Sequence, residues 1–162
     1  MPTVHETLLI AAPIKRVYTF LADIERVPEW LPHVVETERT SDIRSGEGAE
    51  LTIVMNAAGR QTEGTSRCVE AISPHRLAFE SSLAIGVTST MAFDLAADGR
   101  QSTEVALTLD YELAGGRLGR LVGGLFGDKM ARRDVKTALD NLKARIEAEP
   151  ARPPRRKAAA KR

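Results

Sequence analysis

A chain of 162 residues, 43% hydrophobic and 28% charged, is long enough to bury one substantial core and is ordinarily globular in composition. No apolar run approaches the roughly 20 residues of a bilayer-spanning helix. The first residues show no secretory pattern and Cys68 is the only cysteine, so an intrachain disulfide framework is excluded and a cytoplasmic setting is expected.

Val4, Leu8 and Ile10 share a parity and predict a first strand. Ala12-Pro13 then changes the period. Ile14, Val17, Tyr18 and Leu21 fall at three-and-four spacing, a short amphipathic helix. A second short helix is expected from Asp23, interrupted by Pro28, with Trp30 anchoring the core or the rim of a cavity. Beyond Pro32 the period becomes two. Strands are expected over 33–40, 50–56, 61–72, 76–83, 87–95 and up to Glu112, with turns at Gly46-Glu47-Gly48, Ala57 to Arg60, Ser73-Pro74-His75, Ile85-Gly86 and Ala97 to Arg100. On one face they carry Leu51, Ile53 and Met55; Leu77, Phe79 and Ser81; Val87, Ser89, Met91, Phe93 and Leu95; Val105, Leu107, Leu109 and Tyr111. Such alternation describes an antiparallel sheet wet on one side and dry on the other.

Residues 115–127 hold six of the twelve glycines, together with Leu118, Leu121, Val122, Leu125 and Phe126. Each glycine costs about 1 kcal/mol of helix stability relative to alanine. This predicts a frayed or broken helix, either a mobile apolar lid or a plain lead-in. A long helix is expected from Asp128 to about Glu149, with Met130, Val135, Ala138, Leu139, Leu142 and Ile146 on its apolar face. Pro150 ends it. From there to Arg162 lie six of the 23 basic residues and no acid, leaving 17 basic against 22 acidic residues, a net of −5, upstream. This tail reads as disordered. It is either a solubilising extension or a weak electrostatic contact with anionic membrane or nucleic acid. The expected division is one domain, 1–149, and a basic tail, 150–162.

The order of one strand, two short helices, six strands and a long helix resembles the helix-grip (START-like, SRPBCC) superfamily. That superfamily includes lipid-transfer domains, polyketide cyclases/dehydrases and pollen-allergen-like carriers. The matching text is Ile10-Ala11-Ala12-Pro13, Val17, Leu21, Asp23 and Pro28-Glu29-Trp30, then Val69 to Leu77, then Ala138 to Lys143. The resemblance implies an α+β fold, a seven-stranded curved antiparallel sheet around the long C-terminal helix, and an internal cavity.

The chemistry is sparse. His5, His33 and His75 are scattered without metal-ligand spacing. Phosphate loops and nucleophile elbows are absent. No catalytic residue, metal or cofactor is assigned. Cavity-wall candidates are Leu51, Ile53, Met55, Val69, Phe79, Met91, Phe93, Leu107, Leu109, Tyr111, Leu125, Val135 and Leu139. Arg67 joins them if Val69 and Ala71 face inward, because strict parity then turns Arg67, Thr65 and Glu63 the same way; a bulge would reverse this. The expected function is binding or transport of an apolar small molecule: lipid, quinone or polyketide-like. The alternatives are a cyclase/dehydrase and a scaffold tethered by its tail. Oligomeric state is open.

Overall fold

A computed structural model describes residues 3–57, 59–113 and 116–149, and the side chains of all of these except 57 and 116–128. The basic tail and the side chain of Leu125 therefore lie outside the described residues, as do the apolar side chains of the glycine-rich segment.

Strand β1 (Thr3–Ile10) leads through Pro13 into α1 (Ile14–Ala22), which buries Val17, Phe20 and Leu21. The Asp23 carboxylate accepts the Glu25 N–H at 3.1 Å and caps a 3-10 turn, Ile24–Arg26, that continues into α2 (Val27–Trp30). Six strands follow: β2 (Val34–Arg39), β3 (Glu50–Ala57), β4 (Arg60–Ile72), β5 (Arg76–Leu83), β6 (Val87–Ala97) and β7 (Thr103–Leu113). Gly99 takes a φ of +78° in the β6–β7 turn, where the Asp-Gly pair predicted a positive φ. All seven strands form one antiparallel sheet in the order β1-β7-β6-β5-β4-β3-β2. β2 to β7 are a meander, whereas α1 and α2 carry the chain between the two edge strands.

α3 (Gly116–Ala148) is one 33-residue helix, roughly 50 Å long at 1.5 Å per residue. It begins twelve residues before Asp128, so the backbone of the glycine-rich segment is helical rather than broken. Val135, Ala138, Leu139, Leu142 and Ile146 are buried, as their spacing predicts. The helix packs mainly along β1, β7 and α2. Its last turn is tied to the other end of the chain. The Arg16 guanidinium donates to the carbonyls of Ile146 and Glu149. The Glu147 carboxylate accepts the Ala11 N–H at 2.7 Å. A cation on the unpaired carbonyls of a helix C-terminus is the arrangement its dipole favours.

The core gathers where α1, α3 and the sheet meet, around Phe93, Leu77, Leu107, Ile10, Leu21, Leu142 and Ile146. Arg67 requires a correction. A bulge between Cys68 and Glu70 adds a residue to β4 opposite β5, so parity reverses across it. Ala71 packs on the core, but on the other side of the bulge the inner face carries Gly64, Ser66 and Cys68. Arg67 is exposed on the outer face, as are Thr65 and Glu63, and it stands between Glu50 on β3 and Glu80 on β5.

Candidate functional site

Because α3 follows the β1–β7 edge, the middle of the curved sheet faces open space. A cavity of about 550 Å³ lies there, walled by β3–β7, α2 and the segment of α3 from Met130 to Ala138. It reaches solvent beside Gly59 and Ile85, which are both exposed, Ile85 by 53%.

Antiparallel pairing sets the inward residues in rungs across the sheet. Outermost are Gly64, Leu83, Val87 and Leu113. The next rung is Ser66, Ser81, Ser89 and Tyr111, and the third is Cys68, Phe79, Met91 and Leu109. The middle rung bears hydroxyls on all four strands and lies between two apolar rungs. Ser81 Oγ donates to Ser66 Oγ at 2.9 Å. Within the third rung, Cys68 is buried and its thiol is pushed up by desolvation, which keeps it protonated and unreactive.

The opposite wall comes from the short helices and α3. Trp30 is 3% exposed and meets Phe93 edge-to-face at 5.6 Å. Asn141 Nδ2 donates to the Trp30 carbonyl at 3.1 Å. The indole Nε1–H of Trp30 is buried with no hydrogen-bond partner among the described residues. His33, at a φ of +69°, brings Nε2 to 3.1 Å from Asp134 Oδ1 on α3. The pair lines the cavity and joins the start of β2 to the helix. Among the described residues, Asn56 is the remaining polar side chain in the wall outside the hydroxyl rung.

Of the residues anticipated from sequence, Leu51, Ile53, Met55, Phe79, Met91, Leu109, Tyr111 and Val135 line this cavity. Phe93, Leu107 and Leu139 face the same side of the sheet but belong to the filled core. Val69, the extra residue of the bulge, is half-buried and stands off the cavity, and Arg67 is on the far side of the sheet. Sequence reasoning missed Ser66, His33 and Asp134 as wall residues. Ser66 was legible in principle, since Thr62, Gly64, Ser66 and Cys68 share a parity that ends in a buried thiol. His33 carried no signal, because its position depends on a left-handed backbone residue at a loop end. Among the described residues no group of three or more His, Cys, Asp or Glu side chains could hold a metal ion, and no helix is long and apolar enough to cross a membrane.

A family model described as "Polyketide cyclase / dehydrase and lipid transport" matches residues 1–147. The chain is also similar to several solved structures. TTHA0849 from Thermus thermophilus superposes with a TM-score of 0.76 at 26% identity, covering 93% of this chain and 100% of that one. A START superfamily protein from Mycobacterium smegmatis gives 0.72 at 19%, covering 90% and 97%. The Zhui aromatase/cyclase from Streptomyces sp. R1128 gives 0.70 at 21%, covering 90% and 93%. The last two likenesses concern the fold alone. No curated protein matches the chain.

Proposed function

Since the chain belongs to the polyketide cyclase/dehydrase and lipid-transport family, we propose that it binds and carries an apolar small molecule of lipid, quinone or polyketide-like character. The observation that supports this is the cavity of about 550 Å³ walled chiefly by Leu51, Ile53, Met55, Phe79, Met91, Leu109 and Val135. Small-molecule sites are typically concave, mostly apolar and about 300–1,000 Å³. A ligand that removes ~300 Å² of apolar surface from water there gains roughly 7 kcal/mol, from which the cost of association is subtracted. With Arg67 on the outer face, no cationic side chain on β4 reaches the cavity to hold a developing enolate.

A cyclase/dehydrase activity is the second reading, supported by the His33–Asp134 contact in the cavity wall. An imidazole held by a carboxylate is suited to moving a proton.

Native mass spectrometry of freshly purified protein separates the two. A carrier is expected to retain a co-purifying apolar ligand and to release an added poly-ketone unchanged. An enzyme would return that poly-ketone lighter by one water after cyclisation and dehydration. Protein that neither retains nor takes up any apolar compound would contradict both readings.

A further inference from the structure

We infer that the outer face of the sheet is a docking surface, and that its occupant is the chain's own basic segment, residues 150–162, folded back within the same molecule. This concerns the side of the sheet opposite the cavity and does not depend on the proposed function.

Charge comes first. Antiparallel register fixes which side chains point away from the cavity. At those outward strand positions stand ten Asp and Glu residues and only two Arg, Arg67 and Arg76. Arg76 is already engaged by Glu70 and Asp94, at 2.7 Å each. Glu36, Glu38, Glu63, Glu80, Glu104 and Glu112 are exposed, and their carboxylates have no partner among the described residues. Like charges fixed on one rigid surface repel one another and attract a polycation. The segment from Pro150 to Arg162 has the complementary composition, six basic residues and no acid.

The starting point of that segment is the second observation. Glu149 is held by Arg16 and Arg26. One turn and two turns earlier, Glu147 accepts the Ala11 N–H and Lys143 Nζ donates to the Leu9 carbonyl at 3.1 Å. The chain therefore leaves α3 at the end of β1, where Leu9 stands opposite Glu104 of β7. Thirteen residues reach about 43 Å when extended, and the eleven residues of β7 span roughly 37 Å, so the segment can run the length of the face. The near end of the face also carries two outward apolar side chains, Leu9 at 49% and Ile72 at 52% exposure. Pro150, Pro153 and Pro154 are the residues placed to cover them. Individual surface ion pairs are weak, but a tethered partner acts at an effective concentration of millimolar order, so several weak contacts suffice.

The test uses the full chain with a nitroxide on Ala158→Cys, Cys68 being buried and unreactive. Paramagnetic broadening is read at the amides of Glu80, on the outer face, and Asp140, on the exposed side of α3. Asp140 lies about 14 Å along the helix from Glu149, so a freely moving segment broadens Asp140 at least as much as Glu80. Docking is expected to broaden Glu80 several-fold more than Asp140. Salt at about 1 M, where the Debye length is about 3 Å, is expected to abolish that excess. So is Glu80→Gln with Glu104→Gln and Glu112→Gln. Arg155→Gln, Arg156→Gln and Lys157→Gln together are expected to do the same, and they decide the matter should the sheet variant not fold. Broadening at Glu80 no greater than at Asp140 would overturn the inference, as would an excess that survives salt and both sets of substitutions. An excess that appears on isotope-labelled parent only when spin-labelled protein is mixed in would assign the face to a second copy's segment and equally overturn docking within one molecule.

Discussion

Glu147 shows how one carboxylate fastens the two ends of the chain. It accepts the Ala11 N–H and a bond from Lys143 Nζ at 2.6 Å, and these bonds, the first foremost, hold its pKa below the ordinary 4.5. A group whose folded pKa is lowered stabilises the fold fully above the unfolded value and loses that contribution as pH falls through the folded one. Glu147→Gln is therefore expected to cost up to about 1 kcal/mol at pH 7, an exposed and screened contribution. The gap between parent and variant is expected to close as the pH falls below 4.5. Paired denaturation curves from neutral to acid pH measure this, and a gap that widens toward acid would contradict the assignment. Arg67 belongs to the same scale with the opposite expectation. Exposed between Glu50 and Glu80, it stands on the opposite face of the sheet from the cavity, so Arg67→Met is expected to leave affinity for the neutral fluorescent probe N-phenyl-1-naphthylamine unchanged and stability within about 0.5 kcal/mol. A large loss of binding would mean that the β4 register is wrong.

At the scale of elements, β4 decides what could be read in advance. Strands β3, β5, β6 and β7 keep strict alternation, so Leu51, Phe79, Met91 and Leu109 could be assigned to the inner face from parity alone. The bulge at Cys68–Glu70 leaves no mark in β4's composition, and one added residue reverses every assignment on its far side. Which inward residues border a cavity and which fill the core was not legible either. Phe93 and Met91 share a face, but their difference depends on where α1 and α3 lie across the sheet. The helix boundary failed for a related reason: glycine propensity is a weak prior that the whole-chain context overrides. β4 also carries a sharp constraint at Gly64. A Cβ there would lie 2.3 Å from the Ser82 carbonyl oxygen and 2.7 Å from a Leu83 methyl. Gly64→Ala forces the β4 and β5 backbones apart and is expected to destabilise by about 1–3 kcal/mol. Thermal denaturation reads this directly, and an unchanged midpoint would contradict the close strand approach.

For the whole molecule, the central point is that the long helix lies along one edge of a curved sheet and leaves the middle uncovered. The fold accepts this because its core is complete elsewhere: α1, the C-terminal half of α3 and β1, β5, β6 and β7 enclose Phe93, Leu107, Leu142 and Ile146. An apolar hollow beside a finished core is an opportunity for a ligand at little cost to stability. Ala131 on α3 lines that hollow and is only partly buried, so a phenyl ring placed there would project into the space a ligand needs. The most direct test is titration of the parent and of Ala131→Phe with N-phenyl-1-naphthylamine, alongside their thermal midpoints. The parent is expected to bind with enhanced fluorescence. The variant is expected to lose about tenfold or more in affinity, roughly 1.4 kcal/mol, with its midpoint unchanged or raised. A parent that does not bind, or a folded variant that binds as tightly as the parent, would contradict the account.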